Sequence, residues 1–274
     1  MTGRPLSRRQ VLRAAATLPA LGLAACGAGP HAPEAVSTSA ARVVPRRSAD
    51  RGHANHGWLD TYHTFSFAGY HDPSFMQFGA LRVLNQDRLE PGRGFAMHGH
   101  RDMEIVSYVL EGTMEHKDTL GNGSRIRPGD VQFMSAGAGV RHSEFNASSS
   151  AGLHFLQMWI LPEASGTRPR YAQQHFPREE RLGELKLVVS PDGEQGSLVV
   201  GQDARLHVGS LRHGDAPRHV LAPGRAAWVH VAEGSVAVNG VTLGPGDGAA
   251  LEGEHVELRG LADTELVLWE VAAS

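Results

Sequence analysis

The fold of this sequence is decided by the stretch Val109-Leu110-Glu111-Gly112-Thr113, which Arg127-Pro128-Gly129-Asp130 follows. About 120 residues later the same order returns, in Val231-Ala232-Glu233-Gly234-Ser235 and then Gly244-Pro245-Gly246-Asp247. Each copy predicts a strand, a Glu-Gly turn, a second strand and a Pro-Gly-Asp turn. A unit of this kind that occurs twice predicts a duplicated domain, here two β-barrels in tandem.

Short runs rich in β-branched and aromatic residues continue on both sides of these motifs, and almost no 3.6-residue periodicity is present beyond residue 50. Phe155–Ile160 is almost uninterrupted apolar sequence, which is typical of a strand buried on both faces. The sequence therefore predicts an all-β protein. The other runs in the series are Thr64–Phe67, Glu104–Leu110, Lys186–Val189, Ala227–Val231, Val236–Val241 and Leu266–Val271.

Composition excludes several classes of protein. The chain has 274 residues, of which 41% are hydrophobic and 20% charged, so collagen, coiled coils and wholesale disorder are excluded. Four of its 26 basic residues lie in the first 25, which leaves 22 basic against 29 acidic residues in the remainder. Such an acidic body argues against a nucleic-acid partner. The single cysteine, Cys26, excludes disulfides and thiolate metal clusters within one chain.

The N-terminus has the features of an export signal. The twin arginine Arg8-Arg9 precedes an uncharged stretch, residues 14–25, which is too short to span a membrane. Small residues then lead into Cys26. This arrangement resembles a twin-arginine signal joined to a bacterial lipoprotein cleavage box, and it predicts export to the periplasmic side of the cell envelope with a lipid anchor on Cys26. The alternative is an amphipathic first helix with a buried cysteine.

The sequence divides into five segments. Residues 1–26 are predicted to be the signal, and residues 27–48, which are small and polar, a flexible tether. Residues 49–165 are predicted to form an N-terminal metal-binding barrel, and residues 166–180 a connection. Residues 181–274 are predicted to form a C-terminal barrel without metal. A monomer is expected.

Four residues of the first barrel predict a metal site: His98, His100, His142 and Glu144. Because side chains on a strand alternate faces, both members of each pair point the same way, about 6.7 Å apart. Two such pairs on neighbouring strands would supply three imidazoles and one carboxylate. That donor set suits Fe, Cu, Ni, Mn or Zn.

Glu104 is the alternative carboxylate, because it shares the alternation of His98 and His100. Four strand residues nevertheless cover about 13 Å, which is too far for a shared ion with bonds of about 2 Å unless the chain turns back. Glu144 is therefore preferred, and Glu104 is kept as a neighbouring or alternative ligand.

The remaining histidines are not predicted to be metal ligands. Four in the opening segment are predicted to make structural hydrogen bonds near the barrel mouth: His53, His56, His63 and His71. His116 and His154 are single, and are expected at the surface or beside the metal ligands. In the second barrel His255-Val256-Glu257 imitates a His-x-Glu pair, but only the separate His213 and His219 precede it, so no second site is expected.

Five stretches of the sequence resemble the pirin family: Arg51–Asp60, Thr64–Phe67, His98–Glu104, Gly129–Gly137 and Arg141–Glu144. The similarity covers about residues 50–274 and points to the bacterial pirin-like quercetin 2,3-dioxygenases. Pirins are bicupins, so the resemblance implies two cupin barrels with one metal held by His98, His100, His142 and Glu144. One departure is Gly99, which stands where the family usually has proline; a looser backbone there would affect metal affinity.

The resemblance also implies an activity. It implies a metal-dependent dioxygenase that opens the ring of quercetin-like flavonols with dioxygen, incorporates two oxygen atoms and releases carbon monoxide. Glu144 would accept the proton of the flavonol hydroxyl. One divalent transition metal is expected, with Fe(II) preferred and Ni, Cu, Mn or Zn as alternatives. The other two hypotheses are a metal-responsive binding protein and a structural barrel with a vestigial site.

Overall fold

The computed structural model describes residues 41–273, and in that range the chain forms twenty β-strands and three short 3-10 helices. The helices are Ser48–Asp50, Arg178–Glu180 and Glu194–Gly196. In chain order the strands are β1 (Arg42–Arg46), β2 (Gly52–Asn55), β3 (Leu59–His63), β4 (Leu81–Leu89), β5 (Gly94–Glu111), β6 (Met114–Asp118), β7 (Gly123–Ile126), β8 (Asp130–Asn146), β9 (Leu153–Ile160), β10 (Arg170–His175), β11 (Lys186–Ser190), β12 (Leu198–Val199), β13 (Ala204–Leu211), β14 (Arg218–Val220), β15 (Arg225–Glu233), β16 (Val236–Val238), β17 (Val241–Leu243), β18 (Gly248–Glu252), β19 (His255–Gly260) and β20 (Thr264–Ala272).

These strands form two barrels in tandem. The first is one antiparallel sheet in the order β2-β3-β4-β9-β5-β8-β6-β7, with β10 added beside β8. The second combines a sheet in the order β1-β18-β15-β20-β13-β11-β12 with a smaller sheet, β14-β19-β16-β17. The prediction of an all-β fold with two tandem barrels is confirmed.

The repeated motifs occupy equivalent turns in the two barrels. β5 ends at Glu111 and β15 ends at Glu233, and the glycine after each has a positive φ, 84° at Gly112 and 78° at Gly234. Only glycine adopts that backbone conformation without strain. The repeat in the sequence therefore marks the same hairpin twice.

One hydrophobic core joins the barrels. Side chains from β5 and β8, such as Tyr108 and Phe133, belong to the same buried cluster as Trp228 and Trp269 from β15 and β20. The Trp269 indole Nε1 donates to Met158 Sδ at 3.1 Å across this contact. Because this buried cluster contains side chains of both barrels, the barrels share one core.

The predicted tether ends earlier than expected. Residues 42–46, which the sequence analysis placed in the tether, form β1 and pair with β18 of the second barrel. The physical reason is that β1 supplies backbone partners to β18, which would otherwise be an open edge. The predicted signal, with Cys26, and the rest of the tether lie outside the described residues. No helix within residues 41–273 is long and apolar enough to cross a membrane.

Two other predicted segments also differ from the observed structure. The predicted connection, residues 166–180, contains β10, which pairs along β8 and so completes the first sheet. Thr64–Phe67 is not a regular strand; only Phe67 makes an isolated bridge, to Tyr70. Phe65 is nevertheless buried, with its ring 4.9 Å from Trp228. Phe65 therefore packs at the contact between the barrels and does not pair with a neighbouring strand.

Candidate metal centre

The two longest strands, β5 and β8, carry the predicted ligands side by side. They are antiparallel neighbours, and their register places His98 directly opposite His142. The register shifts between Phe95 and His98, and again between His100 and Asp102. Because an extra residue in one strand bends it and re-aims its side chains, these two irregularities set the direction of the His-x-His segment.

Three imidazoles meet at this point. The ring centroids of His98 and His142 are 4.5 Å apart, those of His98 and His100 4.7 Å, and those of His100 and His142 4.9 Å. One ring nitrogen from each lies within 4.8 Å of the other two. Small side-chain rotations therefore suffice to direct three nitrogens at a single ion.

Glu144 lies on the buried side of the same group. A carboxylate oxygen of Glu144 lies within 4.8 Å of a ring nitrogen of His142 and of His116. Gln157 Nε2 donates to Glu144 Oε2 at 2.9 Å, and Ser107 Oγ lies 3.2 Å from Oε1. These hydrogen bonds fix the orientation of a carboxylate that is only 1% exposed.

His142 provides the test of whether a metal fits. It is fully buried, and neither of its ring nitrogens has a hydrogen-bond partner among the described residues. Leaving a buried polar atom unpartnered typically costs about 1–3 kcal/mol, so such atoms normally have a function. A bound ion would supply the missing partner of His142. The residues present therefore fit a metal.

The protonation states of the imidazoles also suit metal binding. Burial, with the neighbouring His98 and His116, lowers the pKa of His142 to about 3. Burial, with His142 and His98, lowers the pKa of His100 to about 4. Both rings are therefore neutral at physiological pH, which is the form that ligates metals.

The site is closed on one side and open on the other. His142 and Glu144 are buried, whereas His98 and His100 are only half-buried. The Ala96 carbonyl lies 2.9 Å from His98 Nδ1 and accepts a hydrogen bond from it, so in the neutral ring Nε2 carries the lone pair. The edge of Trp159 packs against His100, with ring centroids 4.9 Å apart. A metal held by these residues would be accessible to a small molecule from the solvent side, as a catalytic site requires.

Of the two placements expected for His116, at the surface or beside the metal ligands, the structure shows the second. It is fully buried on β6, 5.3 Å from His142 between ring centroids, and it stacks on Tyr171 at 4.8 Å. Its Nε2 lies 3.2 Å from Asp118 Oδ2, and its Nδ1 has no partner among the described residues. Alternation on β6, where Met114 and His116 share a face, was the signal that could have placed it inside the barrel.

Glu104, the alternative carboxylate, lies elsewhere. It is 1% exposed and accepts hydrogen bonds from Ser135 Oγ and from the backbone N–H of Gly201, which belongs to the second half of the chain. Arg170 Nη2 is 3.7 Å from the same carboxylate. Glu104 thus joins the two barrels, whereas Glu144 lies among the potential metal ligands, in a group with His116 and His142.

Comparison with known proteins supports the same conclusion about the fold and the family. The Pirin family matches residues 44–160, and the Quercetinase C-terminal cupin domain family matches residues 187–271. The quercetin 2,3-dioxygenase of Escherichia coli (strain K12) is 47% identical over 230 residues, covering 84% of this chain and 98% of its own length. The chain belongs to the pirin family.

Two further relatives extend the comparison for this pirin. The pirin-like protein of Caulobacter vibrioides is 41% identical over 233 residues, covering 84% of this chain and all of its own length. The crystal structure of the bacterial pirin YhhW from Escherichia coli in complex with nickel(II) is 46% identical, with a TM-score of 0.80, and covers 85% of this chain and 100% of its own. The family expected from the sequence, and its tandem cupin fold, are thereby confirmed.

The departure from the family pattern at Gly99 has no steric cause in this pirin. Gly99 pairs with Arg141 in the ladder between β5 and β8. A Cβ added to Gly99 would meet its nearest neighbours, in Arg141 and Val140, at 3.7 and 3.8 Å, which is ordinary contact. The site therefore has room for a side chain between the two histidines.

The other histidines make mostly structural contacts. His53 Nε2 lies 2.7 Å from Asp60 Oδ1, and His63 Nδ1 lies 2.9 Å from Asn85 Oδ1, whereas His56 and His71 are exposed. His154 is not at the surface: it is buried against Gln86, whose Nε2 is 2.9 Å from His154 Nε2. In the second barrel His255 is buried while Glu257 is exposed.

Asp87 gives the first barrel a pH-dependent stability. It is buried beside Thr61, whose hydroxyl donates to it, and burial, with the charge of Glu144, raises the pKa of Asp87 from 3.8 to about 7. Between these values the folded protein holds a proton that the unfolded chain has released, so the free energy of unfolding decreases as pH rises from about 4 to about 7.

An Asp87→Asn variant is therefore expected to be more stable than the parent at pH 8, on the order of 2 kcal/mol, because the amide has no proton to lose. Urea unfolding at pH 5 and pH 8 measures the effect. The difference between variant and parent should shrink at pH 5. Equal differences at the two pH values would contradict the assignment to Asp87.

Proposed function

We propose that this protein is a metal-dependent dioxygenase that cleaves quercetin-like flavonols with dioxygen. The observation that carries the proposal is the meeting of His98, His100 and His142 beside the buried carboxylate of Glu144, with the open side toward solvent. Relatives that share its full two-barrel length are named quercetin 2,3-dioxygenase, which supports the substrate class.

The expected cofactor is one divalent transition metal. Neutral imidazoles and one carboxylate suit Fe, Ni, Cu, Mn and Zn alike, so availability decides among them. Fe(II) remains the preferred metal. The nickel(II) complex of YhhW supports a divalent-metal site in this family.

The chain's own residues would orient the substrate and move one proton. A bound metal supplies Lewis acidity that makes a chelating flavonol hydroxyl easier to deprotonate. Glu144 would accept the proton of the flavonol hydroxyl at a carboxylate oxygen, while Gln157 and Ser107 hold the carboxylate in place. Trp159, with Phe67 at 5.3 Å between ring centroids, gives the side of His100 an aromatic wall against which a flat ligand would pack.

The experiment that tests this proposal is a turnover assay on protein purified without a polyhistidine tag. The protein is loaded with Fe(II), Ni(II) or Cu(II), and the absorbance of quercetin is followed in air, with release of carbon monoxide as the second readout. Loss of absorbance faster than with free metal supports the activity. A stoichiometrically loaded protein without turnover on any of the three metals overturns it.

Replacing Glu144 by glutamine is expected to reduce flavonol turnover by roughly 10²–10⁴-fold, because the amide keeps the size of the side chain but accepts no proton. The matched control is Glu104→Gln, a buried carboxylate at the contact between the barrels. Turnover numbers of both variants at equal metal content provide the measurement. Glu104→Gln should stay close to the parent, and the reverse order would identify Glu104 as the functional carboxylate.

We also propose that the protein is exported and anchored through Cys26. The support is the order of the twin arginine, the uncharged stretch and the single cysteine in the sequence. A Cys26→Ala variant is expected to lose the membrane association of the parent in its native host. Cell fractionation followed by mass spectrometry of the N-terminal peptide tests this, and an unmodified Cys26 in the parent would contradict it.

A further inference from the structure

A cavity of about 590 Å³ opens into the second barrel, beside β13 and β14. Its size falls in the range of small-ligand sites in proteins. Two histidines line it, His207 on β13 and His219 on β14, and the acidic Glu184 and Asp215 line it as well. The cavity thus contains metal-ligating side chains far along the chain from the pairs in the first barrel.

The two imidazoles are as close as those of the first barrel. The ring centroids of His207 and His219 are 4.6 Å apart, against 4.5–4.9 Å for the three pairs formed by His98, His100 and His142. His207 is only 7% exposed, and its Nδ1 has no hydrogen-bond partner among the described residues. Burial favours the neutral imidazole, which has a lone pair to donate.

A carboxylate orients the second ring. His219 Nε2 lies 2.8 Å from Glu270 Oε2, and Arg225 Nε donates to Glu270 Oε1 at 2.9 Å. A carboxylate paired with a guanidinium only accepts hydrogen bonds, so Nε2 of His219 carries the hydrogen and Nδ1 of the neutral ring has the lone pair. A carboxylate behind an imidazole is also the arrangement that holds histidine ligands in metal sites.

The position of His219 follows from the duplication of the barrel. β14 pairs with β19, and in the same way the first part of β5 pairs with the last part of β8. His219 lies opposite Val256 in that ladder, where His98 lies opposite His142 in the first barrel. The second imidazole comes from β13 instead of β19, so no His-x-His or His-x-Glu spacing in the sequence marks this pair.

We propose that His207 and His219 form a second, independent site for a divalent transition-metal ion, of which Ni²⁺ and Zn²⁺ are the probes. Among the described residues, groups of three ligand atoms within 4.8 Å of one another occur only in the first barrel, so water completes the coordination here. Arg218 also lines the cavity, and its charge disfavours a cation. The second site is therefore the weaker one. It goes beyond the proposed dioxygenase activity and does not rest on it.

The test counts metal ions on a full-length, untagged protein whose first site is disabled by His98→Ala and His142→Ala. Isothermal titration with Zn²⁺ and with Ni²⁺ should show about one ion per chain on this double variant. Adding His219→Ala should weaken that binding at least 10-fold, whereas adding His213→Ala, at an exposed histidine six residues away, should leave it unchanged. No binding to the double variant, or equal binding after His219→Ala, overturns the proposal.

A second measurement keeps the test valid if His219→Ala impairs folding. Imidazole ¹H–¹⁵N spectra of the double variant should show shifts of two ring systems on addition of Zn²⁺, and these should be assigned to His207 and His219. Shifts confined to other histidines overturn the proposal. Flavonol turnover by a single His207→Asn variant, with the first site intact, should equal that of the parent, so failure of the second site is separable from failure of the dioxygenase activity.

Discussion

Replacement of His142 by alanine is expected to abolish metal loading of the first barrel and to reduce flavonol turnover to the level of free metal, by more than about 100-fold. His142 belongs to both groups of three potential ligands, one with His98 and His100 and one with His116 and Glu144. Loss of an outer partner of a metal ligand typically costs 10–100-fold in affinity or activity, and loss of a ligand costs more. No other single substitution removes a member of both groups.

Three measurements on the His142→Ala variant check this expectation: metal content after dialysis, turnover of quercetin, and the thermal midpoint with and without Ni²⁺. A ligand at 100 times its dissociation constant stabilises a folded protein by about 2.7 kcal/mol, so the parent should gain more stability on addition of nickel than the variant, which lacks the first site. The control is His154→Gln, at a buried histidine beside Gln86. Turnover by His142→Ala at the rate of the parent, with as many bound ions as the parent, would overturn the assignment of the site.

Replacement of Glu265 by alanine is expected to lower the free energy of unfolding by about 3–5 kcal/mol, without a direct effect on the metal ligands. Arg181 and Tyr108 both donate to Glu265 Oε1, and Ser210 Oγ donates to Oε2. Tyr108 belongs to β5 of the first barrel, whereas Glu265 lies on β20 of the second. Removal of the carboxylate leaves a buried guanidinium without its opposite charge and two hydroxyls without their acceptor.

Urea unfolding gives the measurement, with two variants that divide the effect. Tyr108→Phe removes one hydroxyl and should cost about 1 kcal/mol. Combining Arg181→Met with Glu265→Leu removes both charges, and this double variant should be more stable than Glu265→Ala alone. If Glu265→Ala costs no more than Tyr108→Phe, the ion pair between Arg181 and Glu265 adds no stability beyond the hydrogen bond of Tyr108.

The grouping of the site residues was predictable where the strands are regular. β8 is uninterrupted between His142 and Glu144, so period-two alternation places both on one face. Alternation fails for Glu104, because the register shifts between His100 and Asp102, and Asp102 has a φ of 64°. A glycine at position 102 would have suggested a left-handed backbone conformation, but an aspartate does not. The sequence therefore could not show that Glu104 faces Ser135 and Gly201.

The two barrels were predictable from a repeated hairpin, but the exchange of strands at their borders was not. β10 belongs to the first sheet, and its sequence, Arg170–His175, is half-buried and polar without apolar alternation. Formation of such an edge strand depends on backbone hydrogen bonds to its neighbour rather than on a side-chain pattern visible in the sequence. For His116 the sequence left two placements open, and the structure selects the one beside His142, as alternation with Met114 on β6 also indicates.

The pairing of β1 with β18 has a practical consequence for anyone who shortens the gene. A chain started at residue 49, where the sequence pattern alone would place the first domain, lacks residues 42–46 and leaves the backbone groups of β18 unpaired. Exposed strand edges pair with strands of other molecules, so the truncated protein should aggregate or form domain-swapped oligomers. Recombinant proteins that begin at residue 41 or earlier retain β1 and should not aggregate in this way.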